Sequence, residues 1–225
     1  MRTFVPEGAA YVAHLEAPER AVLLDVVDDV IGLVEDRAAR RARGRGADDP
    51  LAAVQLTPGP LPEPTDPALL RLLPPASADA EVAAEFRRLT EGDLRRSKSD
   101  QLLRLRACVD AAGPDLVVVP SEAPRIAAAL TDVRLVASER LGLRSDEEAD
   151  ALYRLVLGGQ DTAAPDDETE SEQAHRLLAT VYVMLSLLQE SLVDLMLAGL
   201  PGGADGDADD TPEPGAAPEP PAGPR

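Results

Sequence analysis

Glu172 and His175 are the first candidate for a chemical site, because their residue types and spacing could hold a metal ion. Their E-x-x-H spacing places both on one face of a helix, as in the bundle proteins that hold two iron ions. Such a centre needs a second E-x-x-H copy and two further glutamates. The other histidine, His14, has no glutamate three residues before it. We therefore predict no metal site and no resident cofactor.

The single cysteine, Cys108, is the second candidate. One cysteine excludes a disulfide within the chain and fits a reducing compartment, so we expect a cytoplasmic protein. Arg104 lies one helical turn before it, and a nearby cation favours the thiolate, which makes Cys108 a candidate redox thiol. The alternative is a small residue at the edge of the core, because Cys108 lies one step off the apolar stripe of its helix.

The densest run of basic residues is the third candidate. It comprises Arg37, Arg40, Arg41, Arg43 and Arg45. Arg43-Gly44-Arg45 is similar to the core that some architectural proteins insert into a narrow minor groove, although flanking prolines are missing. Arginines are also favoured at a helix C-terminus by the helix dipole alone. A second basic surface over residues 87–106 is interleaved with acids, and a solvated helix face is its alternative.

The composition limits the classes of function. The 41 acidic and 22 basic residues give a net charge of −19, which disfavours a protein whose main task is to coat nucleic acid or an anionic membrane. The N-terminus lacks the apolar core of a signal peptide. The most apolar stretch, residues 180–197, contains Gln189, Glu190 and Asp194, so we expect no membrane-spanning segment. Motifs for nucleophilic catalysis, phosphate binding or zinc binding do not occur, and we expect no enzyme.

The spacing of apolar residues predicts a mainly α fold: a helical bundle with a short N-terminal β-hairpin and one further short strand at about 115–119. Pro6-Glu7-Gly8 marks the turn of the hairpin. Asp66 and Pro67 are a good N-cap and first-turn pair for a short helix. Thr90-Glu91-Gly92-Asp93 predicts a break between two helices, and Ser121 is the predicted cap of the next one. Predicted helices cover about 20–41, 67–73, 79–89, 94–112, 122–142, 145–157 and 171–198.

The last predicted helix carries apolar residues in a four-three alternation. This is the seam of a coiled coil or of a helix bundle. The helix has more apolar surface than one neighbouring helix covers, so it is either a self-association surface or the central helix of the bundle. The candidate seam residues are Leu178, Val181, Leu185, Leu188, Leu192 and Leu195.

The predicted domain covers residues 1–198, with a flexible segment rich in proline and glycine at 44–64 and an acidic loop at 158–170. Residues 199–225 contain seven prolines, six glycines and six acids, and no large apolar residue follows Leu200. Such a segment cannot bury enough surface to fold, so we expect a disordered acidic tail.

Three blocks of sequence resemble an actinobacterial family of domains of unknown function, which includes the oxidative-stress transcriptional regulator AosR. The blocks are Ala21-Val-Leu-Leu…Ile31-Gly-Leu-Val-Glu-Asp-Arg37, then Asp66-Pro-Ala-Leu-Leu-Arg-Leu-Leu-Pro74 with Glu85-Phe-Arg-Arg-Leu-Thr90, and Leu130-Thr-Asp-Val-Arg-Leu135 with the last helix.

The resemblance implies a redox-responsive homodimer that acts at promoters with a sigma factor and switches through two nearby cysteines. This chain departs from that pattern, because Cys108 is alone and Arg104 and Ala112 occupy the positions one turn away. We therefore expect a transcriptional regulator or transcription-associated protein, linked to oxidative stress, whose partners are a second copy and RNA polymerase or a sigma factor. Direct DNA binding is expected to be weak. The alternative is a helical protein–protein adaptor that never contacts nucleic acid.

Overall fold

The structure, a computed structural model, describes residues 1–44 (side chains up to residue 35), 63–158 and 169–199. The elements in these ranges are β1 (Arg2–Glu7), β2 (Ala10–His14), α1 (Ala17–Gly44), α2 (Pro67–Leu72), α3 (Ala80–Ala111), β3 (Asp115–Val118), α4 (Ala123–Leu141), α5 (Asp146–Gly158) and α6 (Glu170–Ala198). The predicted fold class, mainly α with a short hairpin and one further strand, is confirmed. The predicted segment 44–64, the loop 158–170 and the tail 199–225 lie largely outside the described residues.

The three strands form one antiparallel sheet in the order β1-β2-β3. Gly8 turns the hairpin with a φ of 59°, a conformation that residues other than glycine adopt with strain. Alternate side chains point to opposite faces, so Phe4 and Leu116 are buried against the helices while Val5 and Val117 face outward. The sheet is also joined to α6, because the main-chain N–H of Phe4 donates to Ser191 Oγ in α6 at 3.1 Å.

α4 contacts most of the other helices: it packs against α1, α2, α3 and α6. α6 packs against α4 and also contacts α5, β1 and β2. Its buried side chains belong to both hydrophobic clusters of the described residues: Leu185 lies in the large cluster, and Tyr182 lies in a small one under α5. α1 and α3 pack against each other on the other side of the large cluster.

α3 runs without interruption from Ala80 to Ala111, so the predicted break at residues 90–93 is wrong. A glycine inside a helix costs only about 1 kcal/mol relative to alanine, and tertiary contacts readily outweigh that. Glu91 is buried on one side of Gly92 and Arg95 on the other, and both belong to the interface with α1. Thr90 at the predicted break donates from Oγ1 to the main-chain oxygen of Phe86 at 2.9 Å, within the continuous helix.

Local capping signals placed some helix ends correctly. Asp66 caps α2 by accepting from the N–H of Ala68, with Pro67 in the first turn, as predicted. Ser121 does not cap α4, whose N-cap is Glu122 without a side-chain hydrogen bond. There the proline at position 124 sets the first turn, since its missing N–H needs no cap. Gly142 ends α4 in the left-handed conformation, with a φ of 73°.

Candidate functional site

The most prominent feature of the described surface is an apolar face on the first half of α3. Val82, Phe86 and Leu89 lie at i, i+4 and i+7 and are 55%, 52% and 56% exposed. They lie on the side of the helix opposite Glu91 and Arg95, which are buried. We call these three side chains the α3 face. Large apolar side chains are enriched at protein-binding sites when they form a contiguous patch.

The opposite side of α3 is held by a buried ion pair. Arg95 Nε donates to Glu91 Oε1 at 2.8 Å, and Arg95 Nη1 donates to the main-chain oxygen of Val34 in α1 at 2.5 Å. Arg87 adds a second cation, with its Nε 3.8 Å from Glu91 Oε2. These contacts fix the helix that carries the α3 face to the body of the domain.

Two ion pairs lie on the exposed surface of α3 beside the α3 face. In each pair, the acidic and the basic side chain neutralise each other. Arg88 forms a two-pronged bond with Glu85 at 2.6 and 2.8 Å, and this contact lowers the pKa of the Glu85 carboxyl below its usual value. Arg96 pairs with Asp93 through a single contact, from Nη1 to Oδ1 at 2.7 Å. The surroundings of the α3 face are therefore polar but close to neutral.

A small cleft of about 60 Å³ adjoins Phe86. Its apolar lining includes Leu73, Pro74, Pro75 and Leu94. Leu94 is 40% exposed at the edge of this cleft. The cleft is far smaller than the few hundred Å³ typical of sites for small-molecule ligands, and it suits a single side chain of a partner.

The second basic surface, residues 87–106, is not an open positive face. Arg104 pairs with Glu122, the N-cap of α4, at 2.9 Å, and Arg106 pairs with Asp28 in α1 at 2.6 Å. Lys98 is partly buried and binds the buried Asp132 at 2.7 Å. Together with the pairs of Arg88, Arg95 and Arg96, these contacts match the cations of α3 to acids.

The predicted basic patch is described only in part. The backbone of Arg37, Arg40, Arg41 and Arg43 continues α1, which ends at Gly44. The side chains of these four residues, and all of Arg45, lie outside the described part of the chain. Direct DNA contact through this patch stays a prediction.

Cys108 lies on α3, half-buried beside the large cluster. Burial raises the pKa of its thiol, and the carboxylate of Glu122 adds to the rise, while Arg104 acts in the opposite direction. Arg104 is one turn away, as the sequence predicts, but its guanidinium binds Glu122. The thiol form therefore dominates at neutral pH, which favours the core-edge interpretation over an activated redox thiol.

The candidate self-association seam packs inside the described chain. Val181, Leu185, Leu188 and Leu192 are buried in the large cluster, and Leu195 packs against it. Leu178 contacts the small cluster under α5. The seam therefore contributes to the core of the described chain beside α4, and self-association stays a prediction.

Glu172 and His175 do not form a common site in the structure. Glu172 forms a capping box with Thr169 at the start of α6, which lowers the pKa of the Glu172 carboxyl. His175 is exposed. The described residues contain no cluster of three or more side chains that could hold a metal ion. Among the same residues, α6 has the length and composition of a membrane-spanning helix, and 44% of its apolar window is buried within the structure.

A family model described as a domain of unknown function, DUF2017, matches residues 1–196 of the chain. The chain belongs to the DUF2017 family. This confirms the expectation of a domain of unknown function. No curated protein and no solved structure matches the chain. The matched span of the DUF2017 domain ends within the last turn of α6, so it includes every helix and strand named above.

Sequence reasoning missed the α3 face. A signal for it exists, because the spacing of Val82, Phe86 and Leu89 defines a second apolar stripe on a helix that already has one. The predicted break at residues 90–93 separated that stripe from the stripe facing the core. Only a continuous α3 shows that the two stripes lie on opposite sides.

Proposed function

We propose that this DUF2017 protein is a non-enzymatic, transcription-associated regulator that acts by binding another protein through the α3 face. The observation that carries the proposal is the α3 face itself: three large apolar side chains, each more than half exposed, on a helix anchored to the domain. The likeness of three sequence blocks to the family that includes AosR supports a place in transcription and a link to oxidative stress.

The charge distribution supports protein contact over DNA contact. A DNA-binding surface needs cations that are free to meet phosphates. The cations of α3 instead meet acids within the chain, for example Arg104 with Glu122 and Arg106 with Asp28. The whole chain carries a net charge of −19, which opposes approach to DNA.

A binding experiment with purified RNA polymerase holoenzyme tests the proposal. We expect the full chain to bind the holoenzyme or its free sigma factor, and the Val82→Ser/Phe86→Ser/Leu89→Ser variant to lose this binding. The matched control is Leu155→Ser, which changes an apolar side chain on α5 that is 71% exposed. Failure of the full chain to bind any polymerase component would contradict the proposed function.

DNA titration completes the test. We expect binding near the non-specific range, with Kd of about 10⁻⁴–10⁻⁶ M at physiological salt. If Arg40, Arg41, Arg43 and Arg45 each meet a phosphate, the salt slope should be roughly −3 to −4, and replacing all four with alanine should abolish binding. Tight sequence-specific binding by the isolated protein, or binding that survives the four replacements, would show that DNA contact is the main activity.

The same α3 face supports one alternative, an adaptor that joins proteins outside transcription. The near-neutral surroundings of the face, formed by the Glu85–Arg88 and Asp93–Arg96 pairs, suit a protein partner of either kind. Copurification from native lysate separates the two: RNA polymerase subunits are expected with a regulator, and their absence together with another stable partner favours the adaptor.

A further inference from the structure

We propose that α5 is a hinged cover that opens as a unit, while the other helices stay folded, and thereby exposes an apolar side of α6 centred on Val183. This inference is independent of the proposed function, because it concerns a surface other than the α3 face. It assigns a conformational switch to the fold.

Val183 lies on a side of α6 that points away from the large cluster. Val183 and Leu185 are two residues apart, which places their side chains about 200° apart around the helix. Leu185 is buried in the large cluster, whereas Val183 is 2% exposed and belongs to the small cluster. α5 contributes Leu152, Tyr153 and Val156 to the small cluster, and the end of α4 with the residues after it contributes the rest of the cover. The burial of Val183 therefore depends on α5.

α5 is held to the domain by few contacts. None of its residues is buried, although it runs for 13 residues, Asp146–Gly158. It meets α6 through partly buried apolar side chains and one edge-to-face pair, in which the rings of Tyr153 and Tyr182 are 6.4 Å apart. Its described side-chain hydrogen bonds stay within α5 and the two residues before it. A helix with so few buried contacts belongs to the part of a domain that opens most easily.

The core of the domain does not depend on α5. α4 and α6 pack directly against each other, and both contribute to the large cluster. Leu130 of α4 and Leu188 of α6 are fully buried there, and no side chain of the described α5 belongs to that cluster. Opening of α5 therefore breaks the contacts of the small cluster and leaves those of the large cluster in place.

The hinge of the motion lies at Ser145, between α4 and α5. On the α4 side, Arg144 Nη1 donates to both carboxylate oxygens of Glu139 at 2.8 and 2.9 Å, which keeps this end of the connection attached to α4. Across Ser145 the chain is joined by hydrogen bonds from the Arg144 N–H to Glu148 Oε2 at 2.6 Å and from the Glu148 N–H to Ser145 Oγ at 3.3 Å. Ser145 and Glu148 are exposed, so water replaces these bonds when α5 swings away.

Opening changes the surface that α6 presents. Val183 and Leu187 are four residues apart on one side of α6, and the ring of Tyr182 lies in the same cluster. All three side chains come to the surface when α5 leaves. The closed form thus masks an apolar stripe that the open form exposes, and the position of α5 controls how much apolar surface the domain presents.

Thiol labelling of the full-length protein tests the opening. In a Cys108→Ser background, Val183→Cys places a thiol under α5, and Leu185→Cys, the matched control, places one in the large cluster. Each is treated with excess 5,5′-dithiobis(2-nitrobenzoic acid), and the global stability of each variant is measured by urea unfolding. We expect Val183→Cys to be labelled at least about 100-fold faster than its own global unfolding allows, because local opening is enough to expose it. Leu185→Cys should be labelled only as fast as its global unfolding allows.

Hydrogen exchange of the parent protein, followed by mass spectrometry, shows which helix opens and needs no substitution in the core. The amides of residues 149–157 in α5 should exchange at least about 100-fold faster than those of residues 181–192 in α6. Equal exchange of the two segments would overturn the inference, and so would labelling of Val183→Cys at its global rate. Fast labelling combined with fast exchange at residues 181–186 would also overturn it, because α6 itself would then be opening.

A substitution in α5 completes the test. Tyr153→Ala removes the ring contact with Tyr182, so it should accelerate the labelling of Val183→Cys about tenfold and leave the slow exchange of residues 181–192 unchanged. The matched control is Leu155→Ala, on the same helix but 71% exposed, which should leave the labelling rate unchanged. Equal rates with and without Tyr153→Ala, or equal acceleration by both substitutions, would show that the contact between α5 and α6 does not control the exposure of Val183.

Discussion

Arg95 of α3 donates a hydrogen bond from Nη1 to the main-chain oxygen of Val34 in α1, and the two atoms are 2.5 Å apart. The same side chain, which is only 5% exposed, binds Glu91 through Nε at 2.8 Å. An ion pair within one helix is thereby joined to the backbone of a neighbouring helix. The position of the α3 face relative to the rest of the domain depends on this junction.

Arg95→Met should destabilise the fold by about 3–5 kcal/mol, because it takes the nearest cation away from the buried Glu91 carboxylate. The double variant Glu91→Leu/Arg95→Met should recover much of that loss. Arg95 Nη2 has no hydrogen-bond partner among the described residues, so the pair is imperfectly satisfied, and an apolar replacement removes its desolvation penalty. Urea unfolding followed by circular dichroism measures both free energies.

The matched control for Arg95→Met is Arg96→Ala, one residue further along the helix. Arg96 and Asp93 are 71% and 82% exposed, and solvent-exposed pairs of this kind contribute between about 0 and 1 kcal/mol. Similar losses of stability for the two single variants would show that the Arg95 junction does not hold α1 and α3 together.

The parts of the fold that depend on local signals could be predicted from the sequence. Asp66-Pro67 placed the start of α2, and Pro6-Glu7-Gly8 placed the hairpin, because capping and turn preferences act over a few residues. The continuity of α3 could not be predicted in this way. Gly92 is a local breaker, and the contacts that outweigh it, such as Arg95 with Val34, join residues 61 positions apart.

The same contrast between local signals and long-range contacts holds for the candidate site. The position of Arg104 one turn from Cys108 was correctly predicted, because helical spacing fixes it. The effect of Arg104 on the thiol was not, since Glu122 arrives from another helix, 18 residues away, and binds the guanidinium. Charge pairing across helices depends on packing. The sequence alone therefore could not show that acids from other elements neutralise the arginine-rich stretch of α3.

Asp132 should make stability depend on pH. Its carboxyl is buried and forms a salt bridge with the partly buried Lys98 at 2.7 Å. Burial raises the pKa of the Asp132 carboxyl above its ordinary 3.8, and the bond from Lys98 lowers it part of the way back. A carboxyl whose pKa is raised in the folded state contributes stability that is present below the unfolded pKa and is lost as the pH rises through the folded pKa.

The test compares the parent protein with Asp132→Asn by urea unfolding between about pH 4 and 8. The stability of the parent relative to the variant should fall as the pH rises and then level off. In a Lys98→Met background the fall should extend to higher pH, because only burial then acts on the pKa of Asp132. A relative stability that rises with pH would contradict this account.

The Cys108 thiol should be alkylated slowly, and one substitution should increase the alkylation rate. Glu122→Gln removes a negative charge that raises the pKa of Cys108, and it releases Arg104 from its 2.9 Å contact. Both effects lower the pKa of the thiol, so alkylation by iodoacetamide near neutral pH should accelerate about threefold. The control is Asp28→Asn, which releases Arg106 elsewhere on α3 and should leave the rate unchanged. A faster rate in the parent protein than in Glu122→Gln would contradict the assignment.

Substitution of Leu185 tests whether the seam on α6 fills the core of one chain or joins two copies. It is fully buried within the described chain, so Leu185→Ala should leave a cavity and lower the free energy of unfolding by about 2.7–5 kcal/mol. Leu177→Ala, on the same helix but 52% exposed, should change it by less than about 0.5 kcal/mol. Light scattering at micromolar concentration should give the same mass for the parent protein and for the folded Leu185→Ala variant. A parent dimer that Leu185→Ala converts into a monomer of undiminished stability would show that the seam joins two copies instead of filling the core.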